Sequence, residues 1–315
     1  MEEYRIEKLA VDRFELLIPL MKDCFGINVN IDYFKWKFID NPSGQFVGFV
    51  AFHQKSNELA GYYGVIPEEY SIFNKRKIIF QSCDTMTSSK HRRKGLFQKL
   101  ASHCYQFLEE NHELNVIGFG GEQSTPGFIK LGWKHLFDVK YLFVPKLFCF
   151  TSVFSNFKDV RIVKAEEVYH LNQQKGDANI HSFRTLEQFK WRLNNPLHPC
   201  ITVKYKDDSY LSYYFSDGKI FLFDFYFSTT FSGRKLVNYL KKEVLKNKAK
   251  GIITLAQYNS PFFIQLHKRG FFHNPFSKGP LNTKIPFIFL TQENGIIDFS
   301  NSSNWNVSPY DHDSL

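Results

Sequence analysis

The run C-D-T-M-T-S-S-K-H-R-R-K-G-L-F-Q-K-L-A-S-H-C-Y-Q-F-L-E, Cys83 to Glu109, reads as a strand, a basic turn and an amphipathic helix. Ile78 to Phe80 lead into it with the β-branched and aromatic residues of a strand. Leu96, Phe97, Leu100, Ala101, Cys104, Phe107 and Leu108 then fall on one face of a 3.6-residue period. Between these elements lie His91, Arg92, Arg93, Lys94 and Gly95, at the point where a helix presents unpaired N–H groups and the positive end of its dipole. Such a place receives an anion, and a glycine there lets main chain approach a diphosphate without an intervening Cβ. The spacing of a Walker loop is absent, so this is a phosphate cradle of another kind.

Working outward, Tyr4–Leu9, Phe46–Phe52, Leu59–Ile66, Lys77–Thr87, Leu114–Phe119 and Lys140–Val144 read as strands. Val11–Met21, Ile31–Phe38, Gly95 to about Glu110 and Pro126–Leu131 read as helices. The alternation predicts an α/β lobe. The script then repeats. Phe34-Lys35-Trp36-Lys37 before Asn41-Pro42 recurs as Phe189-Lys190-Trp191-Arg192 before Asn195-Pro196. Ile79 to Asp84 corresponds to Lys219 to Asp224, and Leu96, Phe97 and Leu100 fall on Leu236, Val237 and Leu240. Ser124-Thr125-Pro126 ending at Gly132-Trp133 parallels Asn259-Ser260-Pro261 ending at Gly270-Phe271. Matches in the same order imply two copies of one fold. The expected organisation is a first lobe at 1–148, a second at 149–298 and a polar tail at 299–315. In the second lobe Ser232 replaces Arg92 and Lys235 replaces Gly95, which predicts that only the first lobe keeps its cradle.

The cradle resembles the acetyl-CoA pyrophosphate loop of the GNAT superfamily of N-acetyltransferases: Gln or Arg, two residues, Gly, one residue, then Gly or Ala. Arg92 and Gly95 match, and Phe97 stands where the small last residue is expected. The Trp-containing motif before Asn-Pro, together with Asp84-Thr85 through Gly95-Leu96-Phe97, is similar to bacterial acetyltransferases associated with surface-polysaccharide and amino-sugar synthesis. The resemblance covers nearly the whole chain. It implies an α+β mixed-sheet fold of two tandem acyl-CoA N-acyltransferase-like lobes, each a mostly antiparallel sheet flanked by helices.

It further implies acetyl-CoA as co-substrate and transfer of acetyl to a primary amine, on an amino sugar or nucleotide-linked amino sugar. The pantetheine would lie along the strand end Thr85-Met86-Thr87, whose N–H groups would act as an oxyanion hole. Arg92, Arg93, Lys94 and the main chain through Gly95, Leu96 and Phe97 would hold the pyrophosphate, with His91 facing solvent or a phosphate. The amine needs a base. Gln81 sits where some such enzymes carry a glutamate, leaving Glu122 and Asp84 as candidates, although the recurrence of Asp84 at Asp224 also suits a structural role. The acid expected as a tyrosine is Phe128, so CoA would leave as a thiolate, as its ordinary pKa near 8.5 allows. Two rivals stand beside this reading: an aminoacyl-tRNA-dependent transferase of tandem lobes, and a catalytically inactive binding module.

Bulk properties restrict the field. A chain of 315 residues fits two domains, and 35 Phe supply two cores. A net charge of +9 suits a polyanionic small ligand as well as nucleic acid or a membrane surface, but no nucleic-acid motif accompanies it. The lysines at 241, 242, 246, 248 and 250 read as a solvated helix face. Five scattered cysteines without a C-x-x-C argue against disulfides and structural zinc, and Cys83 reads as core rather than nucleophile. Trp36 and Trp191 read as helix anchors. The polar start and the short apolar run Tyr141–Phe150, interrupted by Pro145 and Lys146, predict a cytoplasmic protein with no membrane span, no metal and no nucleic-acid partner.

Overall fold

A computed structural model describes residues 3–152, 155–173, 179–206, 208–276, 278–279, 281, 283–292 and 298–313. In chain order the first half forms β1 (Tyr4–Lys8), α1 (Leu17–Phe25), α2 (Ile31–Phe38), β2 (Val47–His53), β3 (Leu59–Ile72) and β4 (Lys75–Thr87). It continues with α3 (Leu96–Asn111), β5 (Asn115–Phe119), α4 (Thr125–Lys130) and β6 (Lys134–Pro145). The second half forms β7 (Val160–Ile162), α5 (Tyr169–Asn172), β8 (Ile180–Ser182), α6 (Leu186–Leu193), β9 (Ile201–Tyr205) and β10 (Ser209–Ser216). β11 (Lys219–Phe227), α7 (Thr230–Lys246), β12 (Gly251–Gln257), α8 (Pro261–His267) and β13 (Ile285–Thr291) complete it.

The chain divides into two compact units, Met1–Phe137 with Pro286–Ser302, and Asp138–Ile285 with Ser303–Asp313. In unit 1, β1, β2, β3 and β4 run antiparallel in sequence order. β4 then pairs with β5 in parallel, and β5 pairs with β13. Unit 2 has the same plan: β9, β10 and β11 antiparallel, β11 parallel to β12, and β12 antiparallel to β6. Each unit therefore takes its last strand from the far half of the sequence. The contiguous lobes expected at 1–148 and 149–298 are corrected to that extent. A second correction concerns the supposed polar tail: Trp305, Val307 and Tyr310 are buried in unit 2. Arg192 anchors that segment, its Nε donating to the Tyr310 carbonyl at 3.0 Å. The Asn/Ser/Asp content that reads as a tail masks three large apolar residues.

One feature of each sheet positions the sites. β4 and β5 are paired only at Phe80–Val116 and Gln81–Ile117, and beyond them the strands part. β11 and β12 do the same after Ile220–Ile252 and Phe221–Ile253. The main chain of each parent strand past the split lacks a ladder partner on that side, and side chains take up part of it: the Thr87 carbonyl accepts from Cys24 Sγ and the Leu222 carbonyl from Thr254 Oγ1. Both strands also carry a register shift against their antiparallel neighbour close to this point, the local irregularity that re-aims a strand end. Behind each split lies a helix on an apolar stripe. α3 buries Leu96, Leu100, Ala101, Cys104 and Leu108, and α7 buries Leu236, Val237, Leu240 and Val244. Each large aliphatic side chain of these stripes contributes about 1.5–3 kcal/mol.

Candidate functional site

In unit 1 the turn before α3 is built for an anion. Arg93 and Gly95 have left-handed backbone, φ +64° and +72°, and turns of this kind aim successive N–H groups to one side. Gly95 is the N-cap and so has no side chain to bond the first helical N–H groups. A Cβ at Gly95 would meet nothing within 4 Å, so conformation, not crowding, requires glycine here. The turn is tied down from α1, where Asp23 accepts the Ser89 N–H at 2.8 Å. That bond holds the Asp23 carboxyl below its usual range.

A cavity of about 390 Å³ opens beside this turn. Of the expected residues, Thr85, Thr87, Arg92, Arg93, Gly95, Leu96 and Phe97 line it. The sequence reading missed Cys24 and Phe25 from α1, Gln98 from α3, and Gln123, Pro126, Gly127 and Lys130 around α4. Cys24 donates its thiol to the Thr87 carbonyl at 3.3 Å, and burial pushes its pKa up. The wall thus carries Arg92, Arg93 and Lys130, and among the described residues no carboxylate or imidazole.

Other expected residues stand apart. Lys94 does not line the cavity; its Nζ is 3.3 Å from Glu3. Met86 packs its side chain in the core, leaving only its main chain on the strand. Asp84 is a correction. Its φ is +47°, and its carboxylate lies 2.8 Å from Lys37 Nζ with both side chains buried, accepting also from the Tyr33 hydroxyl at 3.4 Å. A carboxylate so committed holds the strand irregularity in place and does not face the cavity. Glu122 is exposed in the turn before α4 and does not line the cavity either. His91 is buried, with Nδ1 3.1 Å from the Tyr4 hydroxyl, so it faces neither solvent nor a phosphate site. Phe128 lies in an aromatic core with Phe97 and Trp133, ring centroids 4.9 and 4.7 Å away. The nearby phenols belong to that core: Tyr63 and Tyr105 share a hydrogen bond of 2.9 Å, and burial raises both pKa values.

Phe97, the departure from the loop pattern, has a compensation. A Cβ placed on Gly127 would lie 2.5 Å from Phe97 Cε1, so the bare glycine of α4 makes room for the ring. In unit 2 the corresponding helix start is closed instead. Thr229 Oγ1 accepts from the Ser232 N–H at 3.1 Å, and the Ser232 hydroxyl reaches back to the Thr229 N–H at 3.2 Å. The Arg269 guanidinium covers Gly233, its Nε within 2.3 Å of where a Cβ would stand, and Nη2 donates to the Thr229 carbonyl. The helix start of the second unit is thus occupied by Ser232 and Arg269.

No protein-family model matches the sequence, and no curated protein matches it. Among solved structures the chain resembles N-myristoyltransferase of Saccharomyces cerevisiae with bound myristoyl-CoA, at 12% identity and TM-score 0.66, over 98% of this chain and 89% of that one. It also resembles GCN5-related N-acetyltransferases from Kribbella flavida and Anabaena variabilis, each at 11% identity and TM-score 0.63 over 91% of this chain, and over 70% and 72% of theirs. The chain thus shares the α/β fold of these N-acyltransferase structures, a large mixed sheet flanked by helices. Among the described residues no helix is long and apolar enough to cross a membrane, and no group of three or more His, Cys, Asp or Glu side chains could hold a metal.

Proposed function

We propose that the protein is an acyltransferase that uses acetyl-CoA to acetylate a primary amine, on an amino sugar or nucleotide-linked amino sugar. The observation that carries this reading is the contrast between the two helix starts. α3 leaves its first N–H groups uncapped beside Arg92, Arg93 and Lys130 with no carboxylate in the wall, whereas α7 is capped and covered. A diphosphate fits the first arrangement and is refused by the second. The structures of the fold's other members point the same way: the yeast N-myristoyltransferase holds myristoyl-CoA.

The residues divide the work as follows. Arg92, Arg93 and the N–H groups from Gly95 to Phe97 hold the pyrophosphate. The main chain of Thr85 to Thr87, past the β4–β5 split and without a strand on that side, binds the pantetheine amides and donates to the thioester oxygen as charge develops there. With Asp84 paired to Lys37 and Glu122 outside the cavity, the amine loses its proton to water, and CoA departs as a thiolate. We place the protein in the cytoplasm, with a small-molecule acceptor and no nucleic-acid partner. That same lack of a base in the wall favours a second reading, a CoA-binding module that transfers nothing.

Calorimetric titration with acetyl-CoA tests the core of the proposal. One-site binding is expected, lost in Gly95→Asp, where a carboxylate enters the anion site and φ is +72°. Absence of binding by the parent chain at about millimolar acetyl-CoA, some 4 kcal/mol of affinity, overturns it. Binding without acetylation of any amino sugar selects the second reading.

A further inference from the structure

Unit 2 holds a cavity of its own, about 510 Å³, in the place that matches the first. Phe225, Tyr226 and Phe227 line it where Thr85, Met86 and Thr87 stand in the repeat, and Pro261, Phe262 and Gln265 where Pro126, Gly127 and Lys130 stand. We propose that this cavity is a second ligand site, for a hydroxyl-bearing ring: a pyranose or the ribose of a nucleoside. It stands independently of any CoA binding in unit 1.

Three observations give the chemistry. First, Asn172 is 3% exposed and lines the cavity; its Nδ2 donates to the Tyr210 hydroxyl at 2.7 Å, yet its Oδ1 is buried with no partner among the described residues. A buried acceptor left open calls for a donor from a ligand. Second, the guanidinium and the carboxylate in the wall are matched to each other. Arg184 Nη1 is 3.2 Å from Asp224, Nη2 donates to the Ser308 hydroxyl at 3.1 Å, and Asp224 also accepts from the Tyr210 hydroxyl at 2.7 Å. Among the described residues no lysine lines the cavity, in contrast to the wall in unit 1. Third, the rest of the wall sets side-chain amides, Gln173, Gln265 and Asn306, beside the rings of Phe262 and Trp305. Amides exchange hydrogen bonds with hydroxyls in both directions, and aromatic surface suits the C–H face of a sugar ring. The volume lies within the ~300–1,000 Å³ of small-ligand sites.

The test is saturation-transfer NMR and calorimetry on the full chain with three probes: glucosamine, N-acetylglucosamine and uridine. Two variants accompany it. Gln265→Trp fills the cavity from the half-buried face of α8 without touching the buried network, and Asn172→Leu removes the open acceptor. At least one probe is expected to bind, at least ten-fold more weakly in both variants, while Gln265→Trp keeps the parent's melting temperature and acetyl-CoA titration. Binding of the sugars alone assigns a pyranose, and of uridine alone a nucleoside. Failure of all three probes at about 10 mM, or binding that both variants leave unchanged, overturns the proposal, and the acetyl-CoA titration reads the site in unit 1 separately.

Discussion

Asp84 and Lys37 form an ion pair with side chains 5% and 0% exposed, at a point where the strand turns to a left-handed φ. Deleting one partner leaves the other charge buried, which costs about 3–5 kcal/mol. Asp84→Asn is therefore expected to lower the urea midpoint sharply. A normal midpoint with a collapsed turnover would instead restore Asp84 as the base. The sequence held a hint in the recurrence of this aspartate at Asp224, whose carboxylate is likewise paired, with Arg184. What it could not show was the partner, 47 residues upstream on α2. Cys24 gives a second expectation. Burial and the neighbouring Asp23 raise its pKa, so its thiolate appears only at higher pH than that of a free cysteine. Iodoacetamide should label it slowly at pH 8, faster as pH climbs, and slower again with acetyl-CoA in the cavity. Labelling indifferent to acetyl-CoA would place the ligand elsewhere. The apolar period of the first helix fades before Cys24, which is why this residue was not legible as part of the site.

At the scale of elements, the strand, turn and helix from Lys75 to Asn111 were readable almost to the residue, because hydrophobic period and a basic turn coincide there. The coupling between α3 and α4 was not, because it is a matter of volume between residues thirty positions apart. Gly127→Ala puts a Cβ 2.5 Å from a Phe97 ring already packed against Phe128 and Tyr63. The strain should cost about 1–3 kcal/mol. Phe97→Leu in the same chain should recover much of that, giving a non-additive double-mutant cycle in urea denaturation. Additive losses would mean that the two positions do not touch. The closed start of α7 was open to reading in the Thr229–Ser232 spacing of a capping box, whereas the guanidinium over Gly233 comes from Arg269 in the turn after α8 and leaves no local signature.

At the scale of the whole molecule, the repeat announced two units, but neighbours in a sheet are a tertiary choice that a period of two does not reveal. Hence the boundaries drawn at 148 and 298 cut through an exchange of strands: β13 closes unit 1, with Phe287 and Ile288 fully buried, and β6 closes unit 2. A fragment of residues 1–145 should therefore melt without cooperativity, with β5 left as an unpaired edge. Joining 286–302 to Phe137 through a short linker should restore a sharp transition, since Phe137 and Phe287 stack at 5.0 Å. A cooperative melt of the bare fragment would show the exchanged strand to be dispensable. The exchange also imposes a timetable on synthesis. Between Phe119 and its strand partner Phe287 the ribosome must deliver 168 further residues (287 − 119), roughly 8–34 s at about 5–20 residues per second. For that interval the nascent first half carries an open strand edge beside Val116 and Ile117, and its safe arrival depends on whatever shields that edge until the last strand leaves the exit tunnel.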